Sequence, residues 1–288
     1  MSFENWAENE LQVMRSSVAV QKPTQHTSMY KYISLDNKKS WNYFDTMLNE
    51  NKLYGATLKS LNDPYEGSPS LVDDLNSSTI KKMDITNLQH KIKGMNGDFI
   101  PNYEDLEVYR LKAKNYLSGL LDSYRVLAFC ERADSPLLWS HYANSYKGAC
   151  LHFLGRAFDS RPYQAKLGYV TYSNHRPHLP LSLALGMANH KRLHMRHYNL
   201  GRAELEKFCF FTKGLDWKYE NEIRAIYNSN QTTNVKFQPD GLISITLGPK
   251  MAEADKDRVI KKVTNSQFSQ ITIKDAKLSE NTFSVNSD

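Results

Sequence analysis

The stretch that decides the fold class is residues 242–273, LISITLGPKMAEADKDRVIKKVTNSQFSQITI. Leu242 to Leu247 is a short apolar run and reads as a strand. Gly248-Pro249 ends it as a turn. Met251 to Val263 reads as a helix and Gln270 to Ile273 as another strand, which together make one β-α-β unit.

Upstream, the pattern is less regular. Met29 to Ile33 alternates like a strand, and Ser40 is placed to cap a helix carrying Trp41, Phe44 and Leu48. Leu53 to Leu58 reads as a short strand. A helix from Asn102 to about Tyr124 presents Leu106, Tyr109, Ala113, Tyr116 or Leu117, and Leu120 as its buried stripe. Arg125 to Cys130, Gly148 to Phe153, Lys166 to Tyr172 and Tyr219 to Tyr227 read as further strands, and Pro136 suits the first turn of a helix over Leu137 to Tyr146. Strands and helices intermingle without strict alternation. The expected class is α+β, with a central, mainly antiparallel sheet, whole or split, flanked by helices. The expected organisation is an amphipathic arm over 1–28, a single domain over 29–275 and a tail over 276–288. Within the domain, 67–124 is a helix-bearing insertion and 181–210 a long basic helix, with a break expected near Asn199-Leu200-Gly201.

The chain has 288 residues, 40% hydrophobic and 24% charged, which excludes a disordered or low-complexity chain. Lys and Arg number 37 against 31 Asp and Glu, a net charge of +6 that permits a nucleic-acid partner without demanding one. Cys130, Cys150 and Cys209 are widely spaced, so neither a disulfide framework nor a zinc knuckle is legible, and a reducing cytoplasm fits best. No apolar run is long enough to span a membrane, and the first residues do not read as a signal peptide. Walker, G-x-G-x-x-G, H-E-x-x-H and G-x-S-x-G patterns are absent.

The sharpest chemical signal is Lys213-Gly214-Leu215-Asp216-Trp217-Lys218-Tyr219-Glu220-Asn221-Glu222-Ile223-Arg224. On a strand, Glu220, Glu222 and Arg224 would share one face. Two carboxylates in a cleft repel and raise a pKa, and an arginine lowers it again. Such a trio can orient a hydroxyl, take a proton or stabilise a cation. A solvent-facing strand with an ion pair explains the same residues. Asn62-Asp63-Pro64-Tyr65-Glu66 is a tight turn or a ligand-bearing loop. Leu138-Trp139-Ser140-His141-Tyr142-Ala143 is core packing or part of a site. Tyr30-Lys31-Tyr32 is core and surface, or a stacking face with a phosphate contact. His190, His194 and His197 line one helical face, but Lys191, Arg192 and Arg196 interleave, so a basic solvated face is favoured over zinc, with phosphate or RNA contact as the lesser, functional reading. Basic residues of 250–262 would supply further contacts to a nucleic acid. Metal-assisted phosphodiester cleavage by Asp63, Glu66, Glu220 and Glu222 ranks below these readings because the four acids lie on separate segments.

Taken in order, Tyr30-Lys31-Tyr32, Asn62 to Glu66, Leu138 to Ala143, Lys147-Gly148, Lys213 to Arg224 and Gly248-Pro249 resemble the bacterial family catalogued as domain of unknown function 2971. The early aromatic strand and late E-x-E strand more weakly resemble ADP-ribosyltransferases, which cleave NAD at the nicotinamide–ribose bond. That resemblance implies Glu222 as the essential acid holding the ribose 2′-OH and Glu220 as its companion. It implies NAD contacts at Tyr30, Lys31 or Tyr32, Asn62, Asp63, Trp139, Tyr142 and Arg224, and no metal. The reaction expected is ADP-ribose transfer or NAD hydrolysis; the basic helix, with Lys191, Arg192 and Arg196, favours a nucleic-acid acceptor, and with it the role of a toxin or phage-defence factor. A non-catalytic nucleic-acid-binding module is the alternative.

Overall fold

The computed structural model of the protein describes residues 20–75, 103–159, 165–188, 195–228 and 233–287. In chain order it forms β1 (Ser28–Ile33), α1 (Lys38–Glu50), β2 (Lys52–Tyr54), β3 (Ser70–Val72), α2 (Tyr103–Asp122), β4 (Tyr124–Cys130) and α3 (Pro136–Tyr142). There follow β5 (Ala149–Leu154), α4 (Arg156–Asp159), β6 (Lys166–Tyr169), β7 (Thr171–Ser173), β8 (His178–Pro180), α5 (Leu181–Ala188) and α6 (Met195–Phe210). The last elements are β9 (Thr212–Gly214), β10 (Glu222–Asn228), β11 (Asn234–Lys236), β12 (Leu242–Leu247), α7 (Glu253–Thr264), β13 (Thr272–Leu278) and β14 (Val285–Ser287). The class is α+β, as the intermingled pattern predicts.

The chain divides into two compact units. The larger comprises Gln21–Ser60, Tyr124–Val170 and Asp216–Asp288; the smaller comprises Met1–Val20, Leu61–Ser123 and Thr171–Leu215. The stretch expected as one domain is thus shared between the two, and the described residues of the expected insertion fall in the smaller as far as Ser123.

An eight-stranded sheet, ordered β14-β13-β12-β5-β1-β4-β10-β6, spans the larger unit. Its pairs are antiparallel except β12 with β13, which run parallel because α7 carries the chain back between them. This is the β-α-β unit read from residues 242–273. The expected tail instead continues β13 and returns as β14 at the sheet edge. β1 and β4 share one register pair, Tyr30 with Cys130, whereas β1 and β5 share six. The sheet is therefore narrowly joined at that seam.

Alternation along the strands decides which side chains enter the core. Met29, Leu127, Phe129, Leu151, Phe153, Ile223 and Ile245 are buried in one cluster with Trp41, Phe44, Met47 and Leu48 of α1 and Val259 and Val263 of α7. Burying each large apolar side chain contributes about 1.5–3 kcal/mol. Asn37, not Ser40, caps α1. Its carboxamide accepts from the Ser40 backbone, while the Ser40 hydroxyl accepts from the Asn37 backbone, a reciprocal capping box. The opposite face carries Tyr32, Cys130 and Cys150 beneath Leu138 and Trp139 of α3.

In the smaller unit, β3 pairs with β8 and β7 with β9, both parallel. Tyr109, Ala113 and Leu117 of α2 are buried with Leu181, Leu183, Leu185 and Met187 of α5 and Leu205 and Phe208 of α6. The stripe read from α2 is the one that packs. The helix α6 runs through Asn199-Leu200-Gly201 without the expected break.

Candidate functional site

Four neighbouring strands of the larger unit bring four side chains into one row. His152 of β5 pairs with Tyr30 of β1, Tyr30 with Cys130 of β4, and Cys130 with Glu222 of β10. Directly paired residues project to the same face of a sheet. At a strand spacing of about 4.8 Å, Tyr30 and Glu222 stand roughly 10 Å apart across Cys130. The Tyr30 ring stacks on His152 with centroids 4.6 Å apart and planes 21° from parallel. His152 Nε2 lies 3.0 Å from the Ser28 hydroxyl. Burial first, and then the positive charge of Lys274, push the His152 pKa below its usual value.

Glu222 is held by the residue two places along its own strand. Arg224 donates from Nε to Oε1 at 2.6 Å and from Nη2 to Oε2 at 2.9 Å. Arg224 has no exposed surface and Glu222 only 4%. A carboxylate has about four lone-pair positions, so this grip occupies half of them.

Glu220 departs from the expected arrangement. The strand does not begin at Tyr219: Leu215–Glu220 is a 3-10 turn, and Asn221 adopts a left-handed φ of 42° before β10 starts at Glu222. The Asn221 backbone N–H closes that turn on the Lys218 carbonyl at 3.2 Å. Asn tolerates this region better than most residues. Alternation therefore stops between Glu220 and Glu222. Glu220 is nevertheless buried, and the Tyr142 hydroxyl donates to its Oε1. Tyr30, Tyr142 and Tyr219 all pack, partly buried, against the cluster of Tyr32, Cys130 and Trp139.

Cys130 registers the charges around it. Its thiol lies 3.3 Å from the Tyr30 carbonyl and 3.2 Å from that of Arg132. Burial pushes its pKa up to about 12, a backbone hydrogen bond with Arg132 and the charge of Lys31 pull it down, and Glu220 and Glu222 add to the rise. A thiol held in that range is not a nucleophile at neutral pH. Lys31 donates to the Ala128 carbonyl at 3.2 Å and lies 5.5 Å from the Phe129 ring centre. Burial lowers its pKa to about 8, with the Glu222 charge pulling it back up. Glu220 and Glu222 thus act on one thiol beside the tyrosine of the same row, while Lys31, which alternates to the other face of β1 beside Phe129, acts on it through the sheet.

Tyr32 and Trp139, expected against a nucleotide, belong to the core. Trp139 has no exposed surface, donates its indole N–H to the Ala133 carbonyl at 2.8 Å and meets Tyr32 edge-on at 5.2 Å. The Tyr32 hydroxyl donates to the Arg132 carbonyl at 3.0 Å. The helix expected over Leu137–Tyr146 ends at Tyr142, because Asn144, Ser145 and Tyr146 take φ of 46°, 53° and 73°. The Gly148 N–H ties this strained loop to the Ala143 carbonyl at 2.7 Å. A Cβ on Gly148 would lie 2.1 Å from the Ile33 carbonyl oxygen, and one on Gly248 would lie 2.2 Å from that of Tyr146. Both glycines are explained by close backbone approach.

Asn62 and Asp63 lie in the smaller unit. Asp63 is buried; its Oδ1 accepts from the Tyr65 N–H at 2.9 Å and its carbonyl from the Glu66 N–H at 3.1 Å. Glu66 reaches Lys213 at 3.6 Å with both side chains nearly inaccessible. The tight-turn reading accounts for these contacts. Lys191 and Arg192 lie outside the described residues, as do His190 and His194; Arg196 is the second residue of α6.

The row contains two residues that sequence reasoning passed over, Cys130 and His152. His152 occupies an alternating position in a recognised strand, but only the pairing of β5 with β1 brings it beneath Tyr30. Among the described residues, no group of three or more His, Cys, Asp or Glu side chains is placed to hold a metal ion, and no helix is long and apolar enough to cross a membrane.

Residues 138–225 match the family described as protein of unknown function (DUF2971), which supports the family read from the ordered motifs. No curated protein and no solved structure matches the chain.

Proposed function

We propose that this chain, with its DUF2971 segment over residues 138–225, is an ADP-ribosyltransferase-like enzyme that consumes NAD. The observation that carries the reading is the row His152-Tyr30-Cys130-Glu222, with Glu220 and Lys31 acting electrostatically on its centre. Its aromatic end suits a flat nicotinamide ring and its acidic end a ribose developing positive charge.

In the proposed reaction the bond between ribose C1′ and the nicotinamide nitrogen breaks. The bonding pair passes to that nitrogen, and neutral nicotinamide leaves. Glu222, oriented by Arg224, accepts a hydrogen bond from the ribose 2′-OH and stabilises the cationic sugar. An acceptor oxygen or nitrogen then bonds to C1′ and gives its proton to Glu220, which Tyr142 orients. Lys31 projects from β1 to the opposite face of the sheet, beside Phe129 of the core, and acts on the row only through its charge. The acceptor class we propose is a nucleic acid, which the net charge of +6 permits, and a role as a toxin or phage-defence factor is proposed with it.

A purely structural role for the two acids is the competing account, and the closed Arg224–Glu222 pair favours it. Melting with and without NAD separates the two. A ligand that binds only the folded state raises the melting temperature, so NAD is expected to stabilise the wild type and to stabilise Glu220→Gln less. An unchanged melt, together with no NAD turnover in the presence of RNA, DNA or protein, overturns the proposal.

A further inference from the structure

A second surface of the larger unit has the chemistry of a single-strand binding face. β2 and β11 form a two-stranded antiparallel ribbon with Lys52 opposite Lys236 and Tyr54 opposite Asn234. Leu53 and Val235 point inward, each 6% exposed, so alternation turns Lys52, Tyr54, Asn234 and Lys236 outward. Like charges directly opposed across a ribbon are unfavourable. Glu50, 2.5 Å from Lys52, offsets only one of them. Lys236 is exposed and has no ion pair among the described residues.

Aromatic surface adjoins these charges. Tyr54 is 38% exposed and stacks on Tyr43 of α1, with centroids 4.9 Å apart and planes 28° from parallel. Lys39, one helical turn before Tyr43, places its Nζ 5.7 Å from the Tyr43 ring centre. Core packing does not require this pair, since Tyr54 keeps more than a third of its surface in water. A partly exposed aromatic pair, with Lys39 at the Tyr43 ring and Lys52 and Lys236 on the ribbon face that carries Tyr54, suits an unpaired base together with its phosphates. A duplex, whose bases are already stacked, has no face to offer it.

From this geometry we infer that Lys39, Tyr43, Tyr54, Lys52 and Lys236 form a docking surface for single-stranded nucleic acid. The inference is independent of the NAD chemistry proposed above and uses none of its residues. Fluorescence anisotropy of the full chain with labelled 12-nucleotide oligo-U and oligo-dT tests it at 50 and 150 mM salt. Binding to one or both strands is expected, weakening as salt rises. Tyr54→Ala is expected to weaken it by about fivefold or more, the loss of one base stacked on an aromatic ring. Lys39→Glu with Lys236→Glu is expected to weaken it and to flatten the salt dependence by about 0.7 for each phosphate no longer neutralised. These side chains are outside the core, so unchanged circular dichroism melts are expected to accompany the weaker binding. Variants that bind like the wild type overturn the inference. So does a duplex or a polyglutamate peptide that binds as tightly as the single strands.

Discussion

Arg224 holds both carboxylate oxygens of Glu222 from two positions along the same strand, at 2.6 and 2.9 Å, in a part of the sheet where neither side chain meets bulk water. An ion pair so buried is costly to form and more costly to break, because removing one partner leaves the other charged and uncompensated. Arg224→Met is therefore expected to destabilise the larger unit by about 3–5 kcal/mol. The urea midpoint measures it. A loss below about 1 kcal/mol would mean that the pair is not buried as described.

The hydrogen bond from Tyr142 to Glu220 joins the L-W-x-x-Y-A segment to the late acidic segment. Tyr142→Phe removes the donor while keeping the ring that packs beside Trp139. A bond to a charged group contributes about 1.5–3 kcal/mol, so a stability loss of that order is expected, together with slower NAD turnover. Unchanged stability would show that the bond does not form in solution.

Lys31 gives a pH signature. Its folded pKa is about 8 against an ordinary value of 10.5. Between those values the unfolded chain holds a proton that the folded chain has released, so its contribution to stability rises with pH. The penalty for burying the charged form is complete below pH 8 and fades towards pH 10.5. The stability of Lys31→Met relative to wild type should therefore fall across this window. Urea midpoints of both proteins at pH 7, 9 and 10 measure the change; a constant difference would contradict the lowered pKa.

Gly148 and Gly248 are expected to tolerate no side chain. A Cβ at either would lie about 2 Å from a backbone oxygen, at 2.1 Å and 2.2 Å respectively. Forcing backbone apart in a packed interior costs about 1–3 kcal/mol. Gly148→Ala and Gly248→Ala should each lower the melting temperature, whereas Gly119→Ala, with nothing within 4 Å of the added carbon, should not.

The fold is legible in the sequence where periodicity is strong. The apolar run of β12, the helix α7 and the stripe of α2 all follow from spacing alone. The early Tyr30-Lys31-Tyr32 strand is also clear from its alternation. What lies beyond reach is long-range pairing. Nothing near residue 152 announces that His152 meets Tyr30, because 122 residues separate them and only sheet order joins them. Local backbone reversals escape for a different reason. The left-handed Asn221 separates Glu220 from the strand that alternation predicts for it, and no repeat of side-chain types marks such a residue. Trp139 shows the opposite limit: a conspicuous residue in a motif fills the core, where volume rather than chemistry selects it.

The most direct test is release of nicotinamide from NAD labelled in the nicotinamide ring, measured for wild type, Glu222→Gln and Glu220→Gln with RNA, DNA or protein supplied as acceptor. Release by the wild type is predicted, falling by about 100-fold or more in Glu222→Gln, the scale expected when one group stabilising a transition state is lost. Glu220→Gln, which leaves the Arg224 pair untouched, should slow transfer while remaining folded. Folded wild-type protein that releases no nicotinamide with any of the three acceptors, or folded Glu222→Gln that releases it at the wild-type rate, would contradict the account.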